Sequence, residues 1–322
     1  MEEKLIKIIN EMADYLNIAQ MKKLQEVLIK NLSDARPEKE QISNEEYLKM
    51  FIEAKQIEGC SARTLQYYQV TIDHLLKNTD TMIRKITTDE IRTYLAEYQQ
   101  RNNCSKVTVD NVRRNISSFF SWLEEEDYIL KSPMRRIHKI KTKQPVKEII
   151  SDEVIERLRD NCRCSRDLAM IDLLYSTGIR VGELVGLNIS DIDFEERECV
   201  VYGKGDKERR VYFDAKAKLH LQNYINSRTD TNPALFVTLD SPYERLKISG
   251  VEIRVRELGR KLNIEKIHPH KFRRTMATRA IDKGMPIEQV QKILGHSQIG
   301  TTMQYAIVNQ NNVKTSHRRY IA

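Results

Sequence analysis

The sequence predicts a mainly α-helical protein with one small antiparallel β-sheet, organised as two domains. Three observations lead there. Apolar residues recur at three- to five-residue steps through most of the chain, as amphipathic helices require. β-Prone residues concentrate at 200–202 and 210–213, on either side of the turn residues Gly203-Lys204-Gly205-Asp206. Two polar, proline-bearing stretches, 33–41 and 131–148, interrupt the helical pattern, and 322 residues suffice for two domains.

Residues 1–32 read as an N-terminal helical extension, with Leu5, Ile8, Ile9, Met12, Leu16, Met21, Leu24 and Leu28 in period. After the polar stretch, 43–130 is expected to form a domain of four helices. Ser43 with Glu46, and Thr87 with Glu90, have capping-box spacing. Leu65, Tyr68, Ile72, Leu75 and Leu76 make one apolar stripe, and Val112, Ile116, Phe119, Phe120 and Leu123 another; both read as core. The polar starts of these two helices offer Arg63 on one, and Lys106, Asn111 and Arg114 on the other. Such side chains suit contacts to phosphates and base edges, although without further context an ordinary solvated face accounts for them better.

Segment 131–148 holds seven Lys or Arg residues against one acid and reads as a basic linker able to lie along a phosphate backbone. Residues 149–322 form the second expected domain, ending in a tail. Ser151 is its first N-cap, with acids in the turn that follows. Two helices over 166–193 break at Thr177-Gly178, a β-hairpin over 197–214 carries Lys204 near its tip, and helices follow at about 215–227, 249–262, 270–283 and 286–294. The chain shows no internal repeat and no low-complexity tract.

Lys and Arg exceed Asp and Glu by 54 to 46, a formal +8 in a chain that is 31% charged. That balance fits a polyanionic partner or an ordinary basic surface. No apolar run approaches the roughly 20 residues that span a bilayer, and the N-terminal run lacks a secretory pattern, so no membrane partner is expected. Five cysteines, 60, 104, 162, 164 and 199, suggest reduced thiols in a cytoplasm, and the Cys162-x-Cys164 pair lacks zinc-type companions.

The chemistry gathers between His268 and Ala306. His268, His270 and His296, the cluster Lys271, Arg273 and Arg274, and Tyr305 supply phosphate-binding groups, proton carriers and a nucleophile. Taken singly, each has an ordinary structural explanation. Together, T-G-x-R-x-x-E-L (177–184), G-K-G (203–205), H-x-x-R (270–273), L-G-H-S (294–297) and T-T-x-x-Y (301–305) resemble the tyrosine recombinases, in the order of the Xer and phage-integrase branch.

The resemblance implies a two-domain DNA clamp, with a helical SAM-like core-binding domain at 43–130 and a catalytic domain at 149–322. It implies that Arg180 and Arg273 hold the non-bridging phosphate oxygens, for which the charged guanidinium fork is suited. Tyr305 would attack phosphorus to form a 3′-phosphotyrosine. A phenol of pKa about 10 needs a base, and His270 has that role. Lys204 would protonate the leaving 5′-oxygen, and His296 would hydrogen-bond the phosphate. The covalent link stores the phosphodiester's energy, so no metal or nucleotide cofactor is expected.

The implied partners are double-stranded DNA with a specific recombination site and three further copies of the chain, making a tetramer on two sites, with room for a second recombinase or an accessory factor. The tail after Tyr305 would dock on a neighbouring subunit. Arg274 departs from the family pattern, where a histidine is common. Glu183 and His268 read as structural. A type IB topoisomerase, or a DNA-binding protein without cleavage, would carry related features.

Overall fold

A computed structural model describes residues 8–13, 15–32, 42–79, 81–142, 148–203, 208–264 and 266–306. The chain divides into two compact units, Met1–Pro145 and Val146–Ala322. The fold is mostly helical with one three-stranded antiparallel sheet, and no described helix is long and apolar enough to cross a membrane.

In the first unit, helix α1 (Ile18–Leu32) is followed by α2 (Asn44–Ile57), α3 (Ala62–Lys77), α4 (Thr88–Arg101) and α5 (Lys106–Glu125). The capping boxes at Ser43/Glu46 and Thr87/Glu90 both form. Phe51 is fully buried at the centre, edge-on to Tyr68 and Phe119 and beside Trp122. Ile72 and Leu75 on α3 and Val112, Ile116, Phe119, Phe120 and Leu123 on α5 close around it.

The structure reveals a short repeat that is hard to see in the sequence. α2 joins α3, and α4 joins α5, through the same turn. Gly59 (φ 82) and Asn103 (φ 43) both take left-handed conformations. Cys60 N–H reaches back to Lys55 O and Cys104 N–H to Gln99 O, closing the preceding helix in the same way. Ser61 and Ser105 then cap the next helix, each accepting from the backbone N–H of a threonine three residues on, Thr64 or Thr108. The shared pattern is only Cys-Ser-x-x-Thr, too short to register as a repeat.

The first part of the basic stretch belongs to this unit. Met134 is buried, Ile137 and Ile140 pack on the same core, and Ile140 N–H donates to Asp110 Oδ1 (3.0 Å). These three residues form an apolar stripe at three-residue steps, which the surrounding charge obscures.

The second unit contains α6 (Asp152–Asp160), α7 (Ser165–Thr177), α8 (Val181–Gly186), β1 (Ile192–Asp193), β2 (Glu198–Tyr202), β3 (Glu208–Tyr212), α9 (Ala215–Asn226), α10 (Ile248–Lys261), α11 (Pro269–Asp282), α12 (Ile287–Leu294) and α13 (Ile299–Met303). The strands run in the order β1-β2-β3, and Val201 pairs with Arg209. Two-residue β1 and five-residue α13 lie outside the sequence expectations because neither is long enough to show a period.

α7 is the central helix, with Ala169, Met170, Ile171, Leu173 and Leu174 at zero exposure. Its polar residues are buried in pairs. Asp167 accepts from Arg166 (2.7 Å) and Arg254 (3.0 Å), and Asp172 from Arg159 (2.7 Å) and His220. Removing one side of a buried pair strands the other charge. Asp167→Ala is therefore expected to lower stability by about 3–5 kcal/mol in urea unfolding, whereas a change under about 0.5 kcal/mol would mean the pairing is not retained in solution.

Candidate active site

Two helices of the second unit end at a left-handed glycine. α7 stops at Gly178 (φ 64) and α12 at Gly295 (φ 63), the conformation in which glycine alone carries no Cβ penalty. Each ending turns carbonyls away from the helix ladder. Arg273, on α11 and 1% exposed, bridges the two: Nη1 donates to Gly178 O (2.8 Å) and Nη2 to Leu294 O (2.5 Å). Its Nε–H is buried with no acceptor among the described residues.

Two further arginines meet the same end of α12. Arg209 Nε donates to Ile293 O (2.9 Å) and Arg180 Nη2 to Gly295 O (3.2 Å). Both also converge on Glu183. Arg209 makes a two-pronged contact with its carboxylate (2.7 and 2.7 Å), and Arg180 adds a side-chain bond (2.8 Å) and a backbone one (2.7 Å). Burial pushes the Glu183 carboxyl up, but the hydrogen bonds and charge of Arg209 and Arg180 outweigh it and hold the group below the usual range. Gly295 is constrained twice, since a Cβ there would also sit 2.9 Å from Arg209 Cδ.

His296 follows this junction. Nε2 lies 3.0 Å from Arg273 Nη2 and Nδ1 lies 2.9 Å from Thr302 Oγ1. Arginine only donates, so Nε2 is the acceptor and the neutral ring carries its proton on Nδ1, donated to Thr302. Burial first, then the charges of Arg273, Arg180, Arg209 and His270, push the ring's pKa down to about 4. Tyr305 is 5% exposed, stacked on His296 at 6.0 Å between ring centres and packed with Ala277, Val290 and Leu294. An open pocket of about 880 Å³ is lined by Arg180, Gly203, Arg209, His296, Ser297 and Thr301 among others.

Of the expected site residues, Arg180, Arg273, His296 and Tyr305 come together here. His270 is exposed in the first turn of α11, near enough for its charge to weigh on His296. Lys204 lies outside the described residues, as does the tail after Ala306; Gly203, just before Lys204, lines the pocket. Arg274 donates to Glu148 O (3.1 Å), an anchoring role for the residue that departs from the family pattern. In the other unit, Arg63, Lys106 and Asn111 are exposed near the starts of α3 and α5, and Arg114 is tied to Asp110 (3.1 Å).

Sequence reasoning missed Arg209 and Thr302. Arg209 was detectable, because strand alternation puts it on the same inward face as Val211. Glu183, read as a support for its own helix, also fixes two arginines.

The depressed His296 pKa has a consequence for stability. Below its ordinary 6.5 the unfolded chain gains a proton that the folded site resists until about 4. Stability is thus expected to fall as pH drops from about 6.5 towards 4, and His296→Gln to flatten that slope in urea titrations. Glu183 acts only lower, through the carboxylate range. An unchanged slope in His296→Gln would contradict the half-buried neutral ring.

Comparisons with known proteins agree with this architecture. The model of the phage integrase family matches residues 148–312, and that of the phage integrase N-terminal SAM-like domain matches 47–130. The tyrosine recombinase XerC of Leptospira interrogans is 31% identical over 88% of this chain and 95% of its own length. That of Oceanobacillus iheyensis is 29% identical over 85% and 95%. Among solved structures, the Tn1549 transposon integrase in complex with a circular intermediate DNA aligns with a TM-score of 0.71 at 19% identity, covering 85% of this chain and 98% of that one. XerH bound to a palindromic difH substrate aligns with a TM-score of 0.67 at 16% identity, covering 97% and 93%. The order of the five motifs, the gathering of Arg180, Arg273, His296 and Tyr305 in one unit, and matches that span both units lead to one conclusion: this chain belongs to the phage integrase family.

Proposed function

We propose that the protein is a tyrosine-type site-specific DNA recombinase, which cuts and rejoins duplex DNA through a 3′-phosphotyrosine. The observation that carries this reading is Arg273, a buried arginine whose Nε–H lacks an acceptor among the described residues while Arg180, His296 and Tyr305 cluster around it. An unsatisfied buried donor costs about 1–3 kcal/mol, and a phosphate oxygen would satisfy it. Burial and the Arg180 charge also push the Arg273 guanidinium down to about 10, so an incoming anion relieves the site electrostatically.

In the reaction, Arg180 and Arg273 bind the non-bridging oxygens of the scissile phosphate and stabilise the charge that builds on them. Tyr305 Oη attacks phosphorus as His270 takes its proton. Lys204 gives a proton to the departing 5′-oxygen, and His296 hydrogen-bonds the phosphate. A new 5′-hydroxyl then displaces Tyr305 with the bond energy conserved. Arg63, Lys106, Asn111 and Arg114 contribute to holding the duplex. Four protomers would synapse two sites, with the tail after Tyr305 docking on a neighbour, in the cytoplasm. The XerC relatives, named as tyrosine recombinases and matched over nearly their whole length, support this reading.

The test starts from a duplex selected for binding out of random sequence, nicked near the preferred cleavage point. The wild-type chain should form a covalent protein–DNA adduct, and Tyr305→Phe none while remaining folded. Arg180→Ala and Arg273→Ala should each slow adduct formation about 10²- to 10³-fold. A full-strength adduct in Tyr305→Phe would remove Tyr305 as nucleophile. Relaxation of supercoiled plasmid lacking the selected sequence would favour a topoisomerase.

A further inference from the structure

His296 presents a difficulty to an incoming phosphate. In the structure its Nε2 lone pair faces Arg273 Nη2 at 3.0 Å, so the edge nearest the phosphate-binding arginine is an acceptor. A phosphate oxygen is also an acceptor, and the two repel. The ring must turn Nε2 into a donor before it can help. Adding a second proton is opposed by burial and by Arg273, Arg180 and Arg209. What remains is moving the one proton: Nδ1 gives its proton up to solvent water, Nε2 takes one from water in the open pocket, and the ring stays neutral.

That exchange needs a partner at Nδ1 that serves both forms. Thr302 supplies it. Its Oγ1 lies 2.9 Å from Nδ1, its residue is fully buried on α13, and its β-branched side chain holds the oxygen in place. A hydroxyl can accept from N–H or, after rotating about Cβ–Oγ, donate to the lone pair. A carbonyl or carboxylate in that place would accept only and would lock the ring in the wrong form. The backbone of His296 is held by Gln291, whose Nε2 donates to its carbonyl O (3.0 Å).

We propose that Thr302 is a positioning residue for strand cleavage: its hydroxyl accepts from His296 Nδ1–H in the free protein and donates to Nδ1 when phosphate is bound, so that Nε2–H and the Arg273 Nη2–H it releases both turn to the phosphate. The proton count of the ring is unchanged, and the hydroxyl keeps its own proton. This rests on the assignment of His296 to the phosphate site made above.

The tautomer is read from long-range ¹H–¹⁵N spectra of the full chain with ¹⁵N-histidine, in a Tyr305→Phe background that keeps DNA uncleaved. His296 is assigned by comparison with His296→Gln. The free protein should show the proton on Nδ1, and the complex with the selected duplex should show it on Nε2. In chains that retain Tyr305, Thr302→Val should slow adduct formation about 10- to 100-fold with duplex affinity held within about twofold. Thr302→Ser, which keeps the hydroxyl, should recover to within about threefold of wild type. A bound ring still protonated at Nδ1, full-rate cleavage by Thr302→Val, or a folded Thr302→Ser no faster than the valine variant each overturns the proposal. A chain that binds the duplex but never cleaves it would sink the recombinase reading instead, and the bound spectrum would still decide the tautomer. A chain that binds no duplex overturns both.

Discussion

The last carbonyls of α12 hold the candidate site together. Ile293, Leu294 and Gly295 each accept from a different arginine, Arg209, Arg273 and Arg180. A helix leaves its final carbonyls without internal partners, and its C-terminal end carries partial negative charge. Three guanidiniums drawn from a hairpin, α11 and the start of α8 find their shared anchor there. Among the described residues, Glu183 is the carboxylate hydrogen-bonded to two of them, so the guanidiniums outnumber the carboxylate they share. Burial first, and then the charge of these arginines, pushes a proton off His296 and weakens Arg273's hold on its own.

Much of this was legible in the sequence because the relevant signals are local. Capping boxes at Ser43 and Thr87 are set by three-residue spacing and formed as read. The break at Gly178 and the hairpin between β2 and β3 follow from turn chemistry. The stripes on α3 and α5 face a core because apolar period and burial are the same fact seen twice. What escaped depends on distant partners. Arg209 looks like one more surface charge in Glu-Arg-Arg until the strand register turns it inward to Glu183. Thr302 reads as half of a Thr-Thr pair, and only folding shows that it touches His296 while Thr301 lines the pocket. The apolar stripe Met134, Ile137 and Ile140 was hidden for the opposite reason, since seven basic residues around it made the segment look like free linker.

The two units solve their local problems differently. The first reverses direction twice with one turn, a left-handed residue followed by Cys-Ser-x-x-Thr, so that two helices begin with the same pair of hydroxyls. The second uses left-handed glycines to end helices where carbonyls must be offered to arginines. In the first unit the positive φ serves chain reversal, and asparagine can stand in for glycine. In the second it serves close approach, and no such exchange is open at Gly295, where a side chain would collide with Arg209.

That collision ties two positions 86 residues apart into one unit of variation, by the difference between 295 and 209. A side chain at 295 would meet Arg209 Cδ and would still sit at a left-handed φ, and displacing Arg209 would remove its hydrogen bonds to Ile293 O and Glu183. Position 295 is thus held by Arg209 and by its own backbone, and position 209 by Ile293 O and Glu183.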